Sequence, residues 1–224
     1  MPNAMMLRTA ATYSGLKRTV NCPSRTAFTA MAWMRPTSAS NYLYGPVLSN
    51  DGGGSEQCYE IYYDYTSSKL VIWNTSDGYT GSASITINNW YHVTMIGSAT
   101  ELLGYLNGVL DVTAATYSMT PTTLFFGSDS WAEAGNAVCQ GMLSCFKVWD
   151  RVLSVDEIKA EMYFAMPVSC VGLNSCYPMP NRQDLLSAGV PPMRANSDPL
   201  ADWSGNGLNL TRFNDVVVGP GPRL

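Results

Sequence analysis

At 224 residues the chain is long enough for one large β-domain, and charged residues at only 13% amid plentiful Gly, Ser, Thr, Asn and Tyr argue for strands joined by turns rather than helices. A formal net charge of −4 with no Lys/Arg run argues against nucleic-acid binding, because a phosphate-reading surface needs clustered cations. No window approaches the roughly 20 continuous apolar residues that span a bilayer, so no membrane partner is expected.

Residues 1–24 read as an N-terminal arm or edge strand: Met5-Met6-Leu7 is apolar and short, and the segment ends at Cys22-Pro23, where proline blocks a ladder. The first residues lack the apolar run of roughly 7–15 residues that marks a secretory signal, so the expectation is a chain used without export by that route. Strands are predicted over 27–35 and 43–49, separated by the turn-prone Pro36 to Asn41. Asn50-Asp51-Gly52-Gly53-Gly54-Ser55 follows as a glycine-rich loop, open to either a ligand or a connecting role.

Residues 58–65 and 69–74 read as a hairpin, and 84–87 continues the meander. Tyr59, Ile61 and Tyr63 alternate with Glu60, Tyr62 and Asp64, so the two sets project from opposite faces. The tyrosines are open to sugar stacking, although packing inside a sheet is the plainer account of aromatic residues in a strand. Next, 90–96 and 101–106 read as strands, and Asn107-Gly108 supplies the positive-φ pair of a type I′ hairpin, so Val109 returns antiparallel.

Strands follow over 124–126 and 141–149, then a short helix over 154–164. Its start is marked by a capping box between Ser154 and Glu157 and by a staple between Leu153 and Ile158. Beyond it, prolines punctuate 166–224, and this extended segment is expected to hold little regular structure. None of the six cysteines, Cys22, Cys58, Cys139, Cys145, Cys170 and Cys176, shows Cys-x-x-Cys spacing. Most read as buried small hydrophobes, while Cys170 and Cys176 flank a loop that a disulfide could close.

The order Trp90-x-His92-Val93, Tyr105-Leu106-Asn107-Gly108, Phe126-Gly127, Gly141, Phe146-Lys147-Val148-Trp149, Leu153-Ser154 and Glu157-Ile158 resembles the laminin G-like branch of the concanavalin A-like lectin/glucanase jelly rolls. Phe28 to Pro36 looks like that family's early strand, so the resemblance covers roughly residues 25–165. It implies an all-β, antiparallel jelly-roll β-sandwich with one short helix and an extended Pro-rich C-terminal tail. Residues 25–165 would form the sandwich, and 166–224 would complete it or clasp a neighbour. Asp202-Trp203-Ser204-Gly205-Asn206-Gly207 resembles the turn that usually opens such a domain, yet it lies near the end of this sequence. Trp203, Leu208 and Leu210, with Val216, Val217 and Val218, are therefore the candidates for completing a sheet in this chain or in a neighbouring subunit.

A glucanase of this superfamily needs facing carboxylates, normally in a Glu-x-Asp-x-x-Glu strand, and that pattern is absent. Glu60 and Asp64 share a face, but about 13 Å of strand rise separates them, so no catalytic residue is assigned. His92, the single histidine, is expected to be structural. No cofactor is assigned; Asp51 with Asn50, and Asp129 with Glu133 and Asn136, are candidate calcium ligands but lack dense acidic spacing. Asp51, Tyr79, Asp129 and Trp131, all expected on loops, form the candidate surface for a glycan or protein partner.

The functional expectation is a non-enzymatic virion protein, a phage capsid decoration (cement) or tail-associated subunit. Its partners would be copies of itself or capsid and tail proteins. The alternative is an extracellular lectin-like module that binds glycans.

Overall fold

The computed structural model describes residues 3–7, 15–50, 57–128, 140–178, 201–213 and 216–220. The strands in chain order are β1 (Asn3–Leu7), β2 (Gly15–Arg18), β3 (Phe28–Pro36), β4 (Leu43–Ser49), β5 (Cys58–Asp64), β6 (Lys69–Trp73), β7 (Gly78–Ser84), β8 (Tyr91–Gly97), β9 (Glu101–Leu106), β10 (Val109–Ala115), β11 (Thr123–Phe126) and β12 (Gly141–Trp149). The helix α1 (Val155–Met162) comes next, followed by β13 (Leu173–Tyr177), β14 (Thr211–Phe213) and β15 (Val216–Pro220).

They form two antiparallel sheets. One runs β10-β9-β8-β3-β12-β1-β15, with β13 also on β12, and the other runs β14-β2-β11-β4-β5-β6-β7. This is the expected jelly-roll sandwich. Leu16, Phe28, Tyr59, Ile61, Leu70, Val93, Leu124, Phe126, Phe146 and Tyr177 lie in the core between the sheets. The rings of Phe126 and Phe146 stack with centroids 4.2 Å apart, tying β11 to β12.

Local chemistry sets the connections. Asn107 and Gly108 both take positive φ, 51° and 74°, as a type I′ turn requires. Asn107 also accepts the His92 amide on its side-chain oxygen at 2.9 Å, which fixes the hairpin against β8. At α1 the capping box is complete: Ser154 Oγ accepts the Glu157 amide at 3.2 Å, and the Ser154 amide donates to Glu157 Oε2 at 2.8 Å. Leu153 and Ile158 then join Met31, Ile96, Tyr105 and Trp149 in a second apolar cluster that seats the helix on its sheet.

Several sequence expectations are corrected. β1 is no edge strand: it lies between β12 and β15, and β2, unforeseen in the sequence, pairs β11 with β14. The third strand of the meander is β7 (Gly78–Ser84) rather than 84–87. The proline-rich segment contributes strands after all, because β13 falls between Pro167 and Pro178 and aligns Phe146 with Tyr177. Proline stops a ladder only where an amide is needed, and these two flank the strand.

Long β12 takes two partners on one side, β1 along Gly141–Leu143 and β13 along Phe146–Trp149. Between them Cys145 adopts φ 54°, and the register with β3 shifts between Ser144 and Lys147. This bulge lets one strand serve both neighbours. Cys170 and Cys176 are free thiols, Cys170 exposed and Cys176 buried, so the loop they flank is not closed by a disulfide.

Candidate functional site

In β5 the alternation read from the sequence holds: Tyr59, Ile61 and Tyr63 are in the core, whereas Tyr62 and Asp64 are half-buried on the opposite face. Pairing with β4 sets Tyr44 directly across from Tyr62, and Leu43 across from core Tyr63. Gly45 and Pro46 then break the alternation, because the β4–β5 register shifts between Tyr44 and Val47. A Cβ on Gly45 would lie 3.2 Å from the Ile61 carbonyl oxygen and 3.3 Å from Val93, so a side chain at the bulge would have to displace its neighbours by a few tenths of an ångström.

Tyr42 stands just before β4, where its carbonyl accepts the Gln140 amide at 3.0 Å. Asn41 secures the same corner by donating to Gln140 Oε1 and Ser38 Oγ, each at 3.1 Å. Tyr65 follows β5 directly. The rings of the four tyrosines meet: Tyr42–Tyr65 and Tyr44–Tyr62 centroids are 4.9 Å apart, Tyr42–Tyr62 5.7 Å and Tyr42–Tyr44 6.1 Å. Tyr44 is buried, while Tyr42, Tyr62 and Tyr65 are half-exposed. Edge and tilted contacts of this kind suit the ring quadrupoles and hold the platform rigid.

Carboxylates flank the rings. Asp64 accepts the Thr66 amide at 3.0 Å, the Ser67 amide at 3.2 Å and both hydroxyls, which closes the turn into β6. Burial pushes its acidity down, but the Ser67 and Thr66 hydrogen bonds outweigh that and hold the carboxyl below its usual range, so it is ionised at neutral pH. Burial, then Glu60 and Asp64, push the Tyr62 phenol well above its ordinary value; burial, Asp64 and Tyr65 do the same for Tyr42. These phenols are neutral at pH 7 and are able both to donate and to accept a hydrogen bond. The surface combines aromatic faces, neutral hydroxyls and a fixed carboxylate, the groups that hold a sugar's C–H face and its hydroxyl rim.

Of the surface expected from the sequence, only Tyr79 falls among the described residues. Tyr79 lies in β7 rather than on a loop, opposite Ile72, and packs half-buried against the core, because the β6–β7 register turns it inward. Asp51, Asp129 and Trp131, with the calcium candidates Glu133 and Asn136, lie outside the described residues. Among the described residues no group of three or more His, Cys, Asp or Glu could hold a metal ion. Sequence reasoning named Tyr62 only among the tyrosines of its strand and missed Tyr42, Tyr44 and Tyr65. The signal was the Tyr42-x-Tyr44 spacing, which has meaning only once β4 is paired with β5.

The C-terminal candidates are placed in the sandwich. Leu208 and Leu210 are buried, and the Trp203 amide donates to the Cys176 carbonyl at 2.8 Å. Asp202 accepts amides from Cys176 at 3.0 Å, Ser204 at 2.9 Å and Leu208 at 3.0 Å, so it is the organising residue of the turn. Val216, Val217 and Val218 pair through β15 with Leu7, Met6 and Met5. His92 is buried, with Thr94 Oγ1 3.5 Å from Nδ1, and its edge meets Trp33 at 5.4 Å.

Comparison with known proteins follows this architecture. A family described as the concanavalin A-like lectin/glucanases superfamily matches residues 9–159. Among solved structures, a native heptameric SAP-like pentraxin from Limulus polyphemus is similar at 18% identity and TM-score 0.60, over 98% of this chain and 95% of that one. A candidate carbohydrate binding protein from Bacteroides ovatus is similar at 14% identity and TM-score 0.66, and this chain spans 60% of its length. Trypanosoma rangeli sialidase is similar at 14% identity and TM-score 0.50 over 60% of this chain, which spans 22% of the sialidase. At these identities the likeness is one of fold. A comparison with curated proteins finds no match to the sequence.

Proposed function

The chain belongs to the concanavalin A-like lectin/glucanases superfamily, and from that premise we propose that it is a non-enzymatic, lectin-like module that holds a glycan on the Tyr42, Tyr44, Tyr62 and Tyr65 surface. The observation that carries this reading is the mutual contact of these rings beside the Asp64 carboxylate. Binding rather than hydrolysis is favoured because Glu60 and Asp64 lie on one strand face at a separation that fits neither glycosidase geometry. Glu60 is moreover buried, with the Cys58 thiol 3.4 Å from its Oε1. The pentraxin and the Bacteroides ovatus protein, similar over nearly all of this chain, support a binding role. A glycan array probed with the wild-type chain and with Tyr42→Ala tests it: bound glycans should lose their signal in the variant, and an array blank for the wild type would refute it.

A second reading is assembly, as a virion decoration or tail-associated subunit. It draws support from β14 and β15, which end the two different sheets and both come from residues 211–220. A segment that finishes two sheet edges is suited to exchange between subunits. Light scattering across concentration, with and without a chelator, tests it: a defined closed oligomer supports assembly, and a strict monomer opposes it.

A further inference from the structure

At the other end of the sandwich from the tyrosines lies a polar cleft of 610 Å³. Tyr44 pairs with Tyr62 near the start of β4, whereas Leu48 near its end aligns with Leu124, which aligns with Arg18. That difference of register amounts to roughly 14 Å along the strands. The cleft's size falls within the range of about 300–1,000 Å³ usual for small-molecule sites. Asn21, Asp150, Asn174 and Asn206 give it polar walls, with Ala27 and Leu208 as apolar ones.

A chain of hydrogen bonds organises the polar wall from behind. Arg18, only 2% exposed, donates through Nη1 to Tyr177 Oη at 3.0 Å and through Nη2 to Asn174 Oδ1 at 2.7 Å. Asn174 Nδ2 in turn lies 3.1 Å from both Asp150 oxygens and from the Asn21 carbonyl. Asn206 Nδ2 donates to the Leu173 carbonyl at 3.1 Å and the Asn174 carbonyl at 2.8 Å. The side-chain amide donors of Asn174 and Asn206 are thus spent on the protein itself. What they orient is acceptors: the exposed Asp150 carboxylate, with most of its lone pairs free, and Asn206 Oδ1.

We infer that this cleft is a second binding site, for a neutral, hydroxyl-rich ligand such as a sugar unit, with Asp150 accepting two neighbouring hydroxyls and Leu208 and Ala27 meeting the ligand's apolar face. Charge decides among the alternatives. A divalent cation wants six to eight oxygens, usually from several carboxylates, and here one carboxylate is backed by a buried guanidinium through a single amide. An anion would face the Asp150 carboxylate directly. A neutral polyol suffers neither penalty: its hydroxyls can donate to Asp150 and to Asn206 Oδ1 and can accept from the exposed Asn21 side-chain amide.

The test is amide chemical-shift perturbation and saturation transfer with methyl glycosides of glucose, galactose, mannose and N-acetylglucosamine at millimolar concentration. At least one should shift the amides of Asn21, Asp150, Asn174 or Asn206. Asp150→Asn should weaken that binding at least fivefold, and Tyr42→Ala should leave it unchanged. Asn21→Gly, which removes a side chain while keeping a backbone at φ 49° unstrained, should weaken it as well, and it serves where Asp150→Asn fails to fold. The proposal is overturned if no glycoside shifts these amides, or if the shifts persist undiminished in the folded variants. Because Tyr42→Ala reads the tyrosine surface alone, failure of one site is distinguishable from failure of the other.

Discussion

Lys147 and Glu161 form an ion pair sealed from solvent: Nζ lies 2.9 Å from Oε2, and the two side chains are 1% and 2% exposed. Lys147 also donates to the Glu161 carbonyl at 2.6 Å, while Glu161 Oε1 accepts the amides of Val168 and Ser169, each at 2.8 Å. One carboxylate therefore joins β12, the end of α1 and the loop toward β13. Removing one partner strands the other charge in the interior, so Lys147→Met should destabilise the fold by about 3–5 kcal/mol in urea denaturation. A loss under 1 kcal/mol would show that water reaches the pair.

His92 predicts a specific acid response. Burial, with a smaller contribution from the Lys147 charge, holds its pKa down at about 3, whereas an unfolded histidine titrates near 6.5. Below about pH 6.5 the unfolded chain binds a proton that the folded chain refuses, so stability falls as pH falls, until both forms are protonated below about pH 3. Between pH 7 and pH 5 the contribution is about 2 kcal/mol. Denaturation at the two pH values should show that decrement in the wild type and lose it in His92→Gln; equal pH dependence would contradict the burial of the imidazole.

The approach to β14 is packed into the core by the residue directly before that strand. Leu210 is 4% exposed within the main apolar cluster, and Leu210→Ala should cost about 2–5 kcal/mol. Thr211→Ala removes an exposed hydroxyl that donates to the Lys17 carbonyl at 3.0 Å, and should cost about 1 kcal/mol or less. Equal, small effects by thermal denaturation would mean that this segment does not complete the sandwich.

Gly97 of β8 pairs with Phe28 at the start of β3. A Cβ there would sit 2.1 Å from Phe28 Cε1 and 2.4 Å from the Arg25 carbonyl oxygen, and a backbone oxygen cannot step aside. Gly97→Ala should destabilise by about 1–3 kcal/mol or more. At Gly78 the nearest atom is a Trp73 ring carbon at 3.3 Å, so Gly78→Ala should be much milder in the same melt.

Local signals carried most of the fold. The Asn107-Gly108 turn, the Ser154 capping box and the Tyr59 to Asp64 alternation each depend on residues within a few positions of one another, and each is found as read. Long-range register was not legible. β2 is four residues long, too short for a readable alternation, and Tyr79 faces inward because the β6–β7 ladder sets it opposite buried Ile72. Tyr42 and Tyr44 become part of a surface only when β4 is set against β5 past the Gly45-Pro46 bulge. The cleft is less legible still, since Asn21, Asp150, Asn174 and Asn206 come from four separate turns or strand ends.

The central claim is that the tyrosine surface binds glycan, and calorimetric titration of the strongest array-positive oligosaccharide tests it most directly. Truncating an aromatic anchor typically costs about 1–2 kcal/mol or more, so Tyr42→Ala and Tyr62→Ala should each raise Kd roughly 5- to 30-fold while the thermal melt shows a folded chain. An unchanged Kd in both folded variants would contradict the account.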